Sequence, residues 1–175
     1  MTPHAHGFNS SIGIIMAKPL KRHPALVPLS QDHHFGLLLT WKIRQGFKWS
    51  VDRRRIMKYV EYFVNEHLEE HFRNEENYLF SYLGKNDLLR KEAEGQHESL
   101  RSLFRKMTSN AEVEEEDLTL FANELESHIR FEERKLFPYI QVELLEDDLK
   151  EFQQKMEQIH EKVTENYEDE FWLKN

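Results

Sequence analysis

The stretch HFRNEENYLFSYL, from His71 to Leu83, is followed later in the chain by HIRFEERKLFPYI, from His128 to Ile140. Seven of the thirteen positions are identical, and the shared pattern is H-x-R-x-E-E-x-x-L-F-x-Y. Both copies place a histidine four residues before a glutamate. Because residues four apart lie on one face of an α-helix, each copy directs an imidazole and a carboxylate towards one point beside a helix. The repeat therefore predicts two helices that contribute the same pair of side chains.

The composition of the chain is that of a helical domain. Its 175 residues suffice for one domain with one core, and there are only 6 Gly and 5 Pro, the residues that form turns. The formal net charge of −8 disfavours a nucleic-acid partner. The absence of cysteine excludes disulfides, thiolate metal sites and thiol nucleophiles.

We expect a soluble, cytoplasmic protein with no membrane partner. No apolar stretch approaches the roughly 20 residues that span a bilayer. The N-terminus also lacks the long apolar core of a signal peptide.

Apolar periodicity predicts five helical segments, with Ser30 and Ser50 as the first two capping residues. The segments cover about residues 30–48, 51–82, 87–107, 115–142 and 147–163. Short linkers between long amphipathic helices favour an up-down arrangement. We predict an all-α fold: an up-down antiparallel four-helix bundle with an additional C-terminal helix. The bundle domain covers residues 29–166, between an irregular N-terminal arm at residues 1–28 and a C-terminal tail at residues 167–175. The apolar seam of the last segment either covers the bundle or joins two copies as a homodimer.

Polar side chains interrupt the apolar faces of all four long segments. In chain order they are Asp32-His33-His34, then His67, His71 and Glu75, then His97, and finally His128 and Glu132. Burying an ionised carboxylate is costly unless it is paired or bound to a metal. We therefore predict an inward shell of four histidines and two carboxylates, with Glu75 and Glu132 free to bridge two metal ions. Imidazole and carboxylate without sulfur suit iron or manganese, and zinc less specifically.

Each proposed bridging glutamate is followed directly by a second one, Glu76 or Glu133. A neighbouring residue on a helix lies about 100° away in azimuth. We therefore predict that Glu76 and Glu133 are surface partners of nearby arginine or lysine side chains and are not metal ligands.

The order H … H-x-x-x-E … H … H-x-x-x-E, with L-F after each glutamate, resembles the hemerythrin-like (HHE cation-binding) family over roughly residues 29–140. The resemblance implies a four-helix bundle that holds two iron ions (Fe²⁺/Fe³⁺) and a bridging oxygen species. The implied ligands are His71 with Glu75, His97, His128 with Glu132, and one histidine of the His33-His34 pair. Asp32-His33 matches the family's acidic-His spelling, whereas His34 shares with His97 a leucine three residues later, so both stay open.

Two positions depart from the oxygen-carrying hemerythrins. Those proteins have a second histidine four residues after the one in the third segment, where this chain has Arg101. They also have an aspartate ligand five residues after the last histidine, where this chain has Glu132 at four. The chain thus resembles the variant with four histidines and two glutamates, which leaves more positions for water, dioxygen or nitric oxide. His67, one turn before His71, either supplies a further ligand or donates a hydrogen bond to the site.

The favoured function is binding or sensing of dioxygen or nitric oxide, or handling of iron, at two irons that manganese or zinc can replace. The alternative is a di-iron redox enzyme that reduces peroxide or repairs iron–sulfur clusters. The family's repair members carry a Cys-containing N-terminal domain, and this chain has no cysteine, so repair ranks lower. A metal-free helical interaction module is disfavoured by the polar core. No catalytic residue is assigned.

Overall fold

The computed structural model describes residues 21–110 and 112–174, and this part of the chain is helical and contains no β-strand. A 3₁₀ turn at Pro24–Leu26 leads into the first long helix, Val27–Lys48. The third long helix is Leu88–Ser109, and a shorter last helix is Glu146–Ile159. No helix within the described ranges combines the length and apolar character needed to cross a membrane.

The second and fourth long helices are continuous but not uniform. The second (residues 53–82) consists of an α-helix Arg53–Phe63, a π-helical turn Val64–Leu68, an α-helix Glu69–Asn74, a π-helical turn Glu75–Leu79 and a 3₁₀ turn Phe80–Tyr82. The fourth (residues 115–143) consists of an α-helix Glu115–Phe131, a π-helical turn Glu132–Leu136 and an α-helix Phe137–Glu143. The five predicted helices are therefore present, with ends shifted by a few residues.

The long helices pack together as a bundle. The first packs mainly against the fourth and also against the second, while the third packs against the fourth. Two glycines of the first helix permit this approach, since a Cβ atom on Gly36 would lie 2.8 Å from Ile129 Cδ1 and one on Gly46 would lie 2.6 Å from Ile56 Cδ1.

The interior consists of two apolar clusters separated by a polar layer. One cluster includes Leu39, Ile43, Val60, Phe63, Leu100, Phe121 and Leu125. The other includes Leu29, Leu79, Phe80, Ala93, Leu136 and Phe137. Along the fourth helix, His128 and Glu132 lie between Leu125 of one cluster and Leu136 of the other. Each of the four long helices passes from one cluster to the other in this way, so the buried histidines and glutamates of the described residues form a single layer across the bundle.

The first long helix and the apolar core begin before Ser30. Residues 1–20 of the expected arm lie outside the described residues. Residues 24–28, however, are already helical, and Ala25 and Leu26 are buried in the second apolar cluster. Ser50 is not an N-cap, because it has a φ of 53° in the turn. The side chain of Asp52 caps the second helix instead, accepting a hydrogen bond from the Arg54 backbone N–H at 3.0 Å.

The described residues of the predicted tail at residues 167–175 pack against the bundle. The last helix ends at Ile159, and the chain then crosses the first and second helices. Phe171 and Trp172 are buried around Tyr59. The buried Lys42 ammonium donates to Glu165 at 2.6 Å. A buried ammonium needs such a partner. The C-terminal segment is therefore packed as part of the core.

We expect Phe171→Ala to lower the free energy of unfolding by about 3 kcal/mol, because it deletes a buried aromatic ring and leaves a cavity. Urea unfolding followed by circular dichroism measures this change. Leu173→Ala is the matched control, since its side chain is 49% exposed and the loss should stay below about 0.5 kcal/mol. Equal effects of the two substitutions would contradict a docked C-terminal segment.

Candidate metal centre

Six of the eight sequence-predicted site residues meet in the polar layer. They form two clusters, His33 with His71 and His97 with His128, and both clusters include Glu75 and Glu132. Within each cluster the potential ligand atoms lie within 4.8 Å of one another. None of the six side chains is more than 5% exposed. The two glutamates are thus shared between two adjacent groups of imidazoles.

The carboxylate oxygens face imidazoles of both clusters. Glu75 has one oxygen 3.4 Å from His71 Nε2 and the other 3.3 Å from His97 Nε2. Glu132 Oε2 lies 3.0 Å from His33 Nε2 and 3.3 Å from His128 Nε2. These approaches lack hydrogen-bond geometry, because all four Nε2 atoms and all four carboxylate oxygens have no hydrogen-bond partner among the described residues. Eight buried polar atoms that converge without bonding one another fit a cation between them.

The outer nitrogen of each histidine, in contrast, is hydrogen-bonded. His33 Nδ1 lies 2.7 Å from Glu133 Oε1, and His97 Nδ1 lies 2.7 Å from Glu76 Oε1. His71 Nδ1 lies 3.1 Å from Asp32 Oδ2, and His128 Nδ1 lies 2.9 Å from Gln96 Oε1. Each acceptor fixes the ring and assigns the proton to Nδ1, which leaves Nε2 to face the centre as a ligand.

The second glutamate of each repeat therefore also orients a histidine, a role that the sequence pattern did not predict. Glu76 and Glu133 do pair with arginines, Arg101 at 2.7 Å and Arg22 at 2.6 Å, but each also orients a histidine on another helix. The sequence signal for this role is the E-E pair that occurs in both copies of the repeat. In each pair the first glutamate faces the polar layer and the second contacts a histidine of a neighbouring helix.

Glu75 and Glu132 each begin a π-helical turn. The Phe80 backbone N–H donates to the Glu75 carbonyl, and the Phe137 N–H donates to the Glu132 carbonyl. Each of these hydrogen bonds spans five residues instead of four. Such turns occur often at functional sites. A 3.6-residue hydrophobic period predicts regular α-helices and does not reveal these turns.

The remaining two predicted residues lie outside the clusters. Of the His33-His34 pair, the structure brings His33 to the centre, whereas His34 is exposed and its ring packs against Phe35. His67 is not grouped with the potential ligands. It lines a small cavity together with His33, His71 and His128, and its Nε2 is buried without a hydrogen-bond partner among the described residues.

The pKa values of the residues in the polar layer depend on burial and on the charges of their neighbours. Burial lowers the pKa of His33, but the contacts with Glu132 and Glu133 outweigh burial and raise that pKa to about 10. Burial lowers the pKa of His128 to about 3. Burial raises the pKa of Glu75, and the nearby charge of Glu132 raises it further. The neighbouring carboxylates therefore favour the protonated form of His33, so a cation that binds its Nε2 competes with a proton.

A protein-family model described as the hemerythrin HHE cation-binding domain matches residues 32–140, which is more than half of the chain. No curated protein and no solved structure matches the chain. The matched range contains all six clustered residues together with their four outer acceptors. The chain therefore belongs to the hemerythrin HHE cation-binding domain family.

Proposed function

We propose that this chain binds two iron ions, bridged by Glu75, Glu132 and an oxygen species, and uses them to bind or sense dioxygen or nitric oxide, or to handle iron. The ligands would be projected inward from an up-down antiparallel four-helix bundle with the last helix as an addition. The observation that carries the proposal is the pair of buried clusters that share both glutamates while their eight inward atoms lack hydrogen-bond partners within the described part of the chain.

The donor set supports iron. Each cluster offers two imidazole nitrogens and two carboxylates, and the chain has no cysteine that would favour a softer ion. This combination is typical of non-haem iron, and manganese or zinc are substitutes. Four protein ligands for each ion are fewer than the six that iron commonly takes, which leaves room for a bridging oxygen species and a small ligand.

The cavity beside the clusters supports a diatomic ligand. Its cavity volume is about 10 Å³, which is about the least that holds one water molecule. Apolar side chains form most of its wall, among them Phe63, Leu68, Phe72, Leu125, Ile129 and Val163. A wall of this kind limits access of bulk water to a ligand of one or two heavy atoms.

The direct test of the proposal is anaerobic loading with Fe²⁺, followed by optical spectra on exposure to dioxygen and to nitric oxide. We expect a charge-transfer band that appears with the gas and reverses when the gas is removed. Steady consumption of added peroxide would assign the site to the redox alternative. A chain that takes up no iron would contradict the proposal.

We expect His33→Ala to reduce the iron content from two ions to about one per chain, because it removes an imidazole from one cluster and leaves the other intact. Metal analysis of the purified protein after iron loading measures this. His34→Ala is the matched control, since the neighbouring histidine is exposed, and it should retain two ions. Equal losses in both variants would contradict the assignment of His33.

A further inference from the structure

The hydrogen-bond acceptors behind the two histidine pairs are not equivalent. Behind His33 and His71 both acceptors are carboxylates, Glu133 and Asp32. Behind His97 and His128 the acceptors are one carboxylate, Glu76, and one amide, Gln96. The difference arises at matched positions of the chain, because Asp32 directly precedes His33 and Gln96 directly precedes His97.

The two glutamate acceptors, Glu133 and Glu76, have similar hydrogen-bond partners. Glu133 accepts from Arg22 at 2.6 Å, and Glu76 accepts from Arg101 at 2.7 Å. Each glutamate therefore accepts from one cluster histidine and from one arginine, and the two do not distinguish the metal positions.

Asp32 is the group without a counterpart. Its side chain is 10% exposed, and its carboxylate accepts from His71 Nδ1 at 3.1 Å and from His160 Nε2 at 2.9 Å. The acceptor behind His71 is thus a carboxylate, whereas the equivalent acceptor behind His128 is a neutral amide.

A carboxylate acceptor makes a histidine a better metal ligand than an amide acceptor does. The charge-assisted hydrogen bond is the stronger one, and it increases the electron density on the nitrogen that faces the metal. Loss of such a partner typically weakens metal binding about 10- to 100-fold.

We infer that the two metal positions are unequal: the one formed with His33 and His71 binds a divalent cation more tightly, and fills first, because Asp32 stands where the other position has Gln96. This inference rests on the proposed function and adds an order of binding to it. Both histidines of the tighter position line the small cavity, whereas only His128 of the second position does. The ion that remains at low metal supply is then the one beside the ligand cavity.

Titration of the metal-free full chain with Co²⁺, followed by its visible absorption, tests the inference. The wild type should bind two ions in steps whose Kd values differ by about tenfold or more. Two variants separate the positions: His71→Ala retains His97 with His128, and His128→Ala retains His33 with His71. The ion bound by His128→Ala should have a Kd about tenfold lower than the ion bound by His71→Ala.

Exchange of the acceptors tests the cause. Asp32→Asn should raise the Kd of the first step about tenfold and leave the Kd of the second step unchanged, so that the two Kd values become similar. Glu70→Gln is the charge-matched control, because Glu70 lines the same outer cleft as Asp32, whereas the hydrogen bond of His71 in the described ranges goes to Asp32. Gln96→Glu should strengthen the second step, and it gives an independent answer if Asp32→Asn folds poorly.

The outcomes separate this inference from the proposed function. Two equal steps in a wild type that binds two ions, or equal Kd values in the two single-position variants, would overturn the inference and leave the proposed function standing. The same holds if Asp32→Asn changes binding no more than Glu70→Gln does. A wild type that binds no Co²⁺ would overturn both.

Discussion

The structure depends on the sharing of two fully buried carboxylates, Glu75 and Glu132, among four imidazoles. A buried carboxylate without compensation costs several kcal/mol, and here two such groups lie in one layer between two apolar clusters. The imidazoles face these carboxylates without bonding them. The charge and geometry of the layer fit cations between the two histidine pairs. The apolar clusters on either side then fix the helices that carry the ligands.

The internal repeat explains how one chain builds two matched half-sites. In each copy the histidine and the first glutamate face the centre, while the second glutamate orients the histidine of another helix. Arg22 and Arg101 hold those outer carboxylates in turn. The orientation of every inward nitrogen therefore depends on residues from at least two helices. The symmetry is broken at Asp32 and Gln96, and Asp32 is further joined to the C-terminal segment by His160.

Most of the fold and most of the cluster could be predicted from local sequence. The H-x-x-x-E spacing places its two side chains on one helix face whatever the neighbouring helices do, and the interruption of apolar faces marked the polar layer. The choice between His33 and His34 could not be made locally. The two residues differ by about 100° in azimuth, and the rotation of the first helix is set by its close contact with Ile129 at Gly36. The histidine partners of Glu76 and Glu133 lie on other helices, so only the tertiary structure shows them. The docking of Phe171 and Trp172 could not be predicted, because their segment has no hydrophobic periodicity.

The most direct measurement of the central claim is anomalous X-ray scattering from crystals of the chain loaded anaerobically with iron. The account predicts two peaks about 3.5–4 Å apart, one beside His33 and His71 and the other beside His97 and His128, with Glu75 and Glu132 contacting both. A single peak, peaks at the protein surface, or a metal-free layer in which the six side chains bond one another would contradict it.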